Sequence, residues 1–172
     1  TVAVTAHRRA DEQAELLRRR GADVVHAPVV RTLPFDDDRP LRAATDAVLA
    51  DPPDVVIATT GIGMRAWFGA AEAWGVDGAL RDVLVRADVV ARGPKALGAL
   101  QQIGVDSARS EPSERLDRVV ASLAAIDGKR VALQRYGEPV PWAVDALRHA
   151  GAQVVEVPVY RWVPASTDRR LV

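Results

Sequence analysis

The sequence predicts an α/β protein built on parallel β-sheets with helices on both faces. Strand-like and helix-like patterns alternate along the chain with short turns between them, which is typical of parallel sheets. A strand–helix–strand unit occurs twice, because residues 21–34 match residues 151–164 at eight of fourteen positions. A hydrophobic content of 48% over 172 residues is sufficient for a buried core.

The composition excludes several classes of protein. The 23 basic and 23 acidic side chains cancel, which argues against nucleic-acid binding through this region. The absence of cysteine excludes a disulfide scaffold and suits the reducing cytoplasm. Apolar runs stay well short of the roughly 20 residues that cross a membrane. The three histidines lack metal-ligand spacing, so we predict a cytoplasmic protein without a metal site or membrane contact.

The first repeat begins with a predicted buried strand at residues 1–6. A helix over residues 11–20 follows and ends at Gly21. The next predicted strand covers residues 22–30, and Pro28 places it at a sheet edge or at a strand end because proline lacks an N–H group. Residues 33–40 form a polar connector flanked by prolines.

The middle of the chain alternates between short apolar runs and segments with helical periodicity. Predicted helices cover residues 41–50, 63–74, 94–103, 113–125 and 139–150, with Ser113 as an N-cap. Predicted strands cover residues 55–59, 86–91, 105–108, 130–134 and 153–160.

These elements predict two domains of unequal completeness. Residues 36–158 supply five strands, enough for one doubly wound domain. Residues 1–33 supply two strands and one helix, too few to cover both faces of a sheet. We therefore expect residues 1–33 and 162–172 to form part of a wrapping domain whose remainder is absent. Residues 28–36 and 157–164 would run side by side as a two-stranded linker.

Four segments carry a resemblance to a known family: GADVVHAPVVRTLP, VVIATTGIGMRAW, ARGPKALGAL and EVPVYRWVP. In this order and spacing the whole chain resembles the uroporphyrinogen-III synthase family. ATTGIG, ARGPKA and QRYGEP are most similar to a subgroup that is fused to a C-terminal winged-helix DNA-binding module. The resemblance implies two flavodoxin-like domains joined by a two-stranded linker, the first of them incomplete here.

The same resemblance implies a monomeric lyase of tetrapyrrole biosynthesis that uses no cofactor. Its substrate would be hydroxymethylbilane, a linear tetrapyrrole that is closed with loss of water and inversion of ring D. The family's linker tyrosine falls on Tyr160, whose phenol would hydrogen-bond the departing hydroxyl or stabilise the azafulvene cation. The alternative is a tyrosine that only packs at an interface.

Candidate substrate-binding residues lie in three strand-to-helix turns, where helix N-termini and cations suit a polycarboxylate. They are Thr59, Thr60, Gly61, Ile62, Gly63, Arg65, Arg92, Gly93, Lys95 and Arg135. The family has a small residue at the position of Arg92. This difference leaves open whether the pocket is adapted to another ligand. The alternatives are tight capped turns and solvated loop charges, or a dinucleotide site at the weak G-x-G-x-x-A match that begins at Gly61.

Other conspicuous residues have structural interpretations. Trp67 and Trp74 lie seven positions apart on one helix face, which favours the core over a ligand platform. His149 lies at the C-terminus of a predicted helix, where a positive charge suits the helix dipole. The acidic run at residues 36–38 is interpreted as a linker and the start of a helix. One alternative function is a ligand-sensing domain of this fold within a transcriptional regulator. Another is a generic two-domain binder of small ligands that closes about a hinge.

Overall fold

The computed structural model describes residues 1–165, and strands and helices alternate along most of this length. The strands are β1 (Val2–Val4), β2 (Val24–His26), β3 (Val30–Leu33), β4 (Val55–Ala58), β5 (Asp88–Ala91), β6 (Arg109–Ser110), β7 (Arg130–Arg135), β8 (Gln153–Pro158) and β9 (Arg161–Pro164). The helices are α1 (Ala10–Arg19), α2 (Arg39–Ala50), α3 (Gly61–Ala73), α4 (Asp77–Arg86), α5 (Pro94–Gln102), α6 (Leu116–Ser122) and α7 (Pro141–His149). The predicted α/β class is confirmed.

The described residues fall into two compact units. Residues 35–160 form the larger one, and residues 1–34 form the smaller one together with the segment that begins at Arg161. Of the segment 162–172 that the sequence assigns to the wrapping domain, residues 166–172 lie outside the described part of the chain.

The larger unit contains a five-stranded parallel sheet in the order β6-β5-β4-β7-β8. All four residues of β4 are buried, since this strand lies at the centre between β5 and β7. The chain proceeds outward from β4 to β6 and then resumes at β7 on the other side. β4 and β7 therefore border the point where the strand order reverses, and open α/β sheets bind ligands beyond the carboxyl ends of the strands there.

Helices cover both faces of this sheet, because alternate residues of a strand point to opposite faces. Val56 and Ala58 belong to a core that includes α2, α3, α4 and α5. Val55 and Ile57 belong to a second core that includes α6 and α7. A strand buried on both faces explains why VVIA is apolar without interruption.

Of the two tryptophans of α3 and its C-terminus, Trp67 is a core residue, as predicted, and Trp74 is partly buried against the same core. Trp67 is fully buried, and its indole N–H donates to the hydroxyl of Thr45 at 2.9 Å. That hydroxyl donates in turn to the carbonyl of Leu41 at 2.8 Å. Trp74 packs against the same core with the guanidinium of Arg42 5.1 Å from its ring centroid.

The smaller unit consists of two separate strand pairs and one helix. β1 and β2 are parallel neighbours, while β3 and β9 pair antiparallel from Val30↔Pro164 to Leu33↔Arg161. The prediction of a buried strand at residues 1–6 is wrong, because Val4 is buried but Val2 remains 40% exposed. α1, the helix of this unit, can cover only one face of a two-stranded sheet.

Other predicted boundaries are also corrected. α4 was not predicted, and β5 begins at Asp88 rather than at residue 86. The strand predicted at residues 105–108 lies at Arg109–Ser110, because Val105 packs into the helical layer instead. Ser113 is not an N-cap, since its hydroxyl donates to Glu111 at 3.0 Å and α6 starts at Leu116.

The two strands that were predicted to contain proline end earlier than expected. The strand predicted at residues 22–30 is divided at Pro28 into β2 and the first residue of β3. The strand predicted at residues 153–160 ends at Pro158. In both places the missing N–H group of proline removes a hydrogen bond that would continue the ladder. No helix in residues 1–165 is long and apolar enough to cross a membrane.

Candidate functional site

The turn between β4 and α3 is capped by a threonine. Thr60 has an extended backbone, with φ −145° and ψ 142°, and its hydroxyl accepts from the N–H of Gly63 at 3.1 Å. This is the geometry of an N-cap, which satisfies one of the first backbone donors of a helix. Within residues 1–165 the N–H groups of Gly61 and Ile62 have no acceptor. The N-terminus of α3 therefore has two backbone donors without an acceptor, on buried Gly61 and half-buried Ile62, and the positive end of the helix dipole.

The side chain of Gln134, near the carboxyl end of β7, fills the point where the strand order reverses. Its amide oxygen accepts from the N–H groups of Thr59 and Thr60, both at 3.0 Å. The hydroxyl of Thr59 donates to the carbonyl of Gln134 at 2.8 Å. Gln134 was not among the residues predicted from the sequence; the signal that could have identified it is one polar residue ending the buried run VALQ.

Tyr160 follows β8 and lies at the same edge of the sheet. Its side chain is buried in the core of the larger unit, with 6% of its surface exposed. The phenol oxygen lies 3.3 Å from the hydroxyl of Thr60, and either group can donate. The structure therefore brings together Tyr160, Thr60 and the start of α3, although Thr60 and Tyr160 are separated by 100 positions in the sequence.

Gly61 and Gly63 permit two close approaches at this turn. A Cβ atom on Gly61 would lie 2.1 Å from the carbonyl oxygen of Lys95, in the first turn of α5. A Cβ atom on Gly63 would lie 2.2 Å from the amide nitrogen of Gln134 and 2.8 Å from the hydroxyl of Thr60. Packing alone thus accounts for the G-x-G pattern.

The two predicted arginines that end strands have partners. The guanidinium of Arg92 lies 5.0 Å from the ring centroid of Tyr136, a cation–π arrangement that holds a cation beside the β5–α5 turn. Arg135 forms an ion pair with Glu156 of β8 at 3.4 Å, which neutralises part of its charge. Arg92 is therefore better placed than Arg135 to attract a carboxylate.

The remaining predicted residues contribute in different ways. Gly93 occupies the N-cap position of α5, and a Cβ there would lie 3.0 Å from Glu114. Lys95 contributes its backbone carbonyl to the contact with Gly61, and its side chain is exposed. Arg65 is exposed on the first turns of α3, and Ile62 is half-buried beside it.

His149 and the acidic run have structural surroundings. A ring nitrogen of His149 lies 2.6 Å from the carbonyl of Asp145 at the end of α7. Arg39 hydrogen-bonds Asp37 at the start of α2 and lowers the pKa of that carboxyl below its usual value. Among the described residues, no group of three histidine or acidic side chains is arranged to hold a metal ion.

Comparisons with known proteins agree in the family they indicate. A family model described as uroporphyrinogen-III synthase HemD matches residues 11–172. An uncharacterised protein of Bacillus subtilis (strain 168), YjjA, is 27% identical over 169 residues, which cover 97% of this chain and 62% of that protein.

Solved structures of uroporphyrinogen III synthase from the extremely thermophilic bacterium Thermus thermophilus are also similar. A triple mutant shares 30% identity with a TM-score of 0.80, over 95% of this chain and 62% of that one. The wild-type enzyme shares 30% identity with a TM-score of 0.67 over the same shares of the two chains. The chain thus spans about three fifths of the length of these relatives. Because the family model matches nearly all of its residues, the chain belongs to the uroporphyrinogen-III synthase family.

Proposed function

We propose that this chain serves in the synthase reaction of its family, the closure of hydroxymethylbilane to uroporphyrinogen III. The observation that carries the proposal is the phenol of Tyr160, which lies 3.3 Å from the Thr60 hydroxyl at the N-terminus of α3. A proton donor and a set of anion-binding groups therefore occur together beyond the carboxyl ends of the strands, where ligands bind in open α/β sheets. Such a lyase would need no cofactor and would act in the cytoplasm as a monomer.

The chemistry of the turn suits this substrate. The hydroxyl of the hydroxymethyl group must leave as water while its carbon stays on the bilane, and the phenol of Tyr160 supplies a hydrogen-bond donor for the departing oxygen. The backbone N–H groups of Gly61 and Ile62 suit the carboxylates of the substrate. Arg92, held over the ring of Tyr136, adds a cation near the same edge. The protein then folds the bilane so that ring-inverting closure is faster than direct closure.

We also propose the two-domain organisation that the resemblance implies. Residues 36–158 would form a flavodoxin-like domain inserted into a wrapping domain of residues 1–33 and 162–172. Numbered in chain order, the strands of the larger unit lie in the order 3-2-1-4-5, a doubly wound arrangement that matches the flavodoxin order 2-1-3-4-5 only as a circular permutation beginning at β7. The antiparallel pair of β3 and β9 supports a two-stranded linker within residues 28–36 and 157–164.

Replacing Tyr160 with phenylalanine in the complete gene product tests the function. The variant removes only the phenol oxygen, and we expect the rate of isomer III formation to fall about 100-fold, as for loss of a general acid. Freshly generated hydroxymethylbilane would be supplied, and the oxidised products would be separated into uroporphyrins I and III.

The matched control is Tyr136→Phe, since Tyr136 and Tyr160 are the two tyrosines of the sequence. Phenylalanine keeps the ring on which Arg92 stacks, so we expect a small change at most. Isomer I alone, formed by the unaltered protein at the uncatalysed rate, would contradict the synthase proposal and favour a ligand-sensing role.

A second expectation concerns residues 1–172 expressed alone. The relatives are longer, and the smaller unit leaves Val2, Val25 and Val29 between 40% and 65% exposed. We expect this polypeptide to bind its substrate incompletely and to yield isomer III no faster than buffer does. Ready formation of isomer III by residues 1–172, measured in the same product assay, would contradict this expectation. It would show that these residues are sufficient for the reaction.

A further inference from the structure

Gln134 carries a polar amide into the core of the larger unit. None of its surface is exposed, and the preceding residues of β7, Val131, Ala132 and Leu133, are equally buried and apolar. A buried amide is unfavourable unless its hydrogen bonds are satisfied, whereas an aliphatic residue would pack there without that cost. The amide must therefore be explained by what it binds.

Its hydrogen bonds determine both the orientation of the amide and the path of the β4–α3 turn. The oxygen accepts from the N–H groups of Thr59 and Thr60, and the nitrogen donates to the carbonyl of Arg135. A flipped amide would place its NH₂ group against two N–H donors, which excludes that orientation. The turn is thus held to β7 by a side chain whose amide can adopt only one of its two orientations.

The hydrogen bonds of Gln134 also affect the surroundings of the Tyr160 phenol, the candidate catalytic group. Gly63 packs directly on the amide, since a Cβ atom added at Gly63 would lie only 2.2 Å from the amide nitrogen. The N–H of Gly63 donates to the hydroxyl of Thr60 at 3.1 Å, and that hydroxyl lies 3.3 Å from the phenol of Tyr160. A shift of the turn would therefore move the hydroxyl that contacts Tyr160.

We infer that Gln134 is a positioning residue, which aims the Tyr160 phenol by holding the Thr59–Thr60 turn. The inference rests on the proposed synthase function for the identity of the reaction. Gln134 is fully buried and so does not touch substrate; it acts through Thr60. Reactive groups need placement within about 0.5 Å, so loss of this support is expected to affect turnover more than binding.

The first experiment needs no turnover and measures amide hydrogen exchange by NMR in residues 1–172. Gln134→Met keeps the length and burial of the side chain but has no comparable acceptor. We expect the exchange rates of the Thr59, Thr60 and Gly63 amides to rise at least about tenfold more than those of the central strand amides. Loss of one hydrogen bond predicts an increase of this size.

The matched control for the exchange experiment is Thr45→Val. It removes an equally buried hydroxyl that bonds Trp67 and lies on α2, away from the turn in the sequence. We expect it to accelerate exchange without selecting Thr59, Thr60 and Gly63. If Gln134→Met produced the same unselective pattern as Thr45→Val, the inference would be overturned.

The second experiment measures kcat and KM for isomer III formation by the complete gene product. We expect Gln134→Met to lower kcat about tenfold with little change in KM, and Thr45→Val to leave both nearly unchanged. In a Tyr160→Phe background, Gln134→Met should cause no further loss, since it acts through that phenol. Equal losses in both backgrounds would refute a role through Tyr160. Absence of isomer III in the unaltered protein would instead refute the synthase function, and the exchange result would still decide whether Gln134 holds the turn.

Discussion

Gly61→Ala is expected to lower the free energy of unfolding by about 3 kcal/mol, the upper end for overpacking a core. The new methyl group would lie 2.1 Å from the carbonyl oxygen and 2.8 Å from the carbonyl carbon of Lys95. Both atoms belong to the backbone of α5, so no side-chain rotation relieves the clash, and α3 and α5 must separate. Urea unfolding of residues 1–172, followed by circular dichroism, measures the loss.

Gly69→Ala is the control, because Gly69 lies on the same helix and its methyl position has no atom within 4 Å. Alanine is favoured over glycine in a helix interior by about 1 kcal/mol, so this variant should be more stable than the unaltered chain. The two substitutions thus have expected effects of opposite sign. Equal stability of the two variants would show that α3 and α5 do not approach each other as closely as described.

Trp67→Ala is expected to cost about 3–5 kcal/mol, the range for truncating a large buried aromatic residue. Trp67 is fully buried among α2, α3 and β4, and its N–H bond to Thr45 would also be lost. The cavity would form in a core already bounded by helices, which limits how far the neighbours can close it. Thermal and urea unfolding of residues 1–172 would be compared with those of the unaltered chain.

Trp142→Ala provides the matched measurement for an exposed tryptophan. Trp142 lies in the first turn of α7 and is 48% exposed, so we expect a loss below about 1 kcal/mol. A similar small loss for Trp67→Ala would contradict its place in the core and reopen its interpretation as a ligand platform.

The elements that were predicted well carry strong local signals. β4 is an unbroken apolar run, α5 begins at Pro94, and α1 is followed by Gly21 with φ +81°. α4 was missed although Leu80, Val83 and Leu84 have helical spacing, because Gly75 and Gly78 beside them indicate a turn. Ser113 failed as a cap because a nearby carboxylate, Glu111, competes for its hydroxyl.

The candidate site was only partly accessible to the same reasoning. Thr59 and Thr60 could be proposed because they follow a strand, and Tyr160 because of the family resemblance; their catalytic and binding roles stay predictions. The polar residue that ends VALQ marks Gln134 as unusual, but its partners could not be inferred, since they lie 74 and 75 positions away in the turn after a different strand.

The sequence by itself determined the α/β class, the repeated unit and most strand–helix boundaries, because periodicity, proline and glycine act within a few residues. Only the tertiary structure decided that β4 lies beside β7, that Lys95 abuts Gly61, and that Gln134 links the turn to Tyr160 through Thr60. These contacts depend on strand order, and strand order follows from the packing of whole layers rather than from any local pattern.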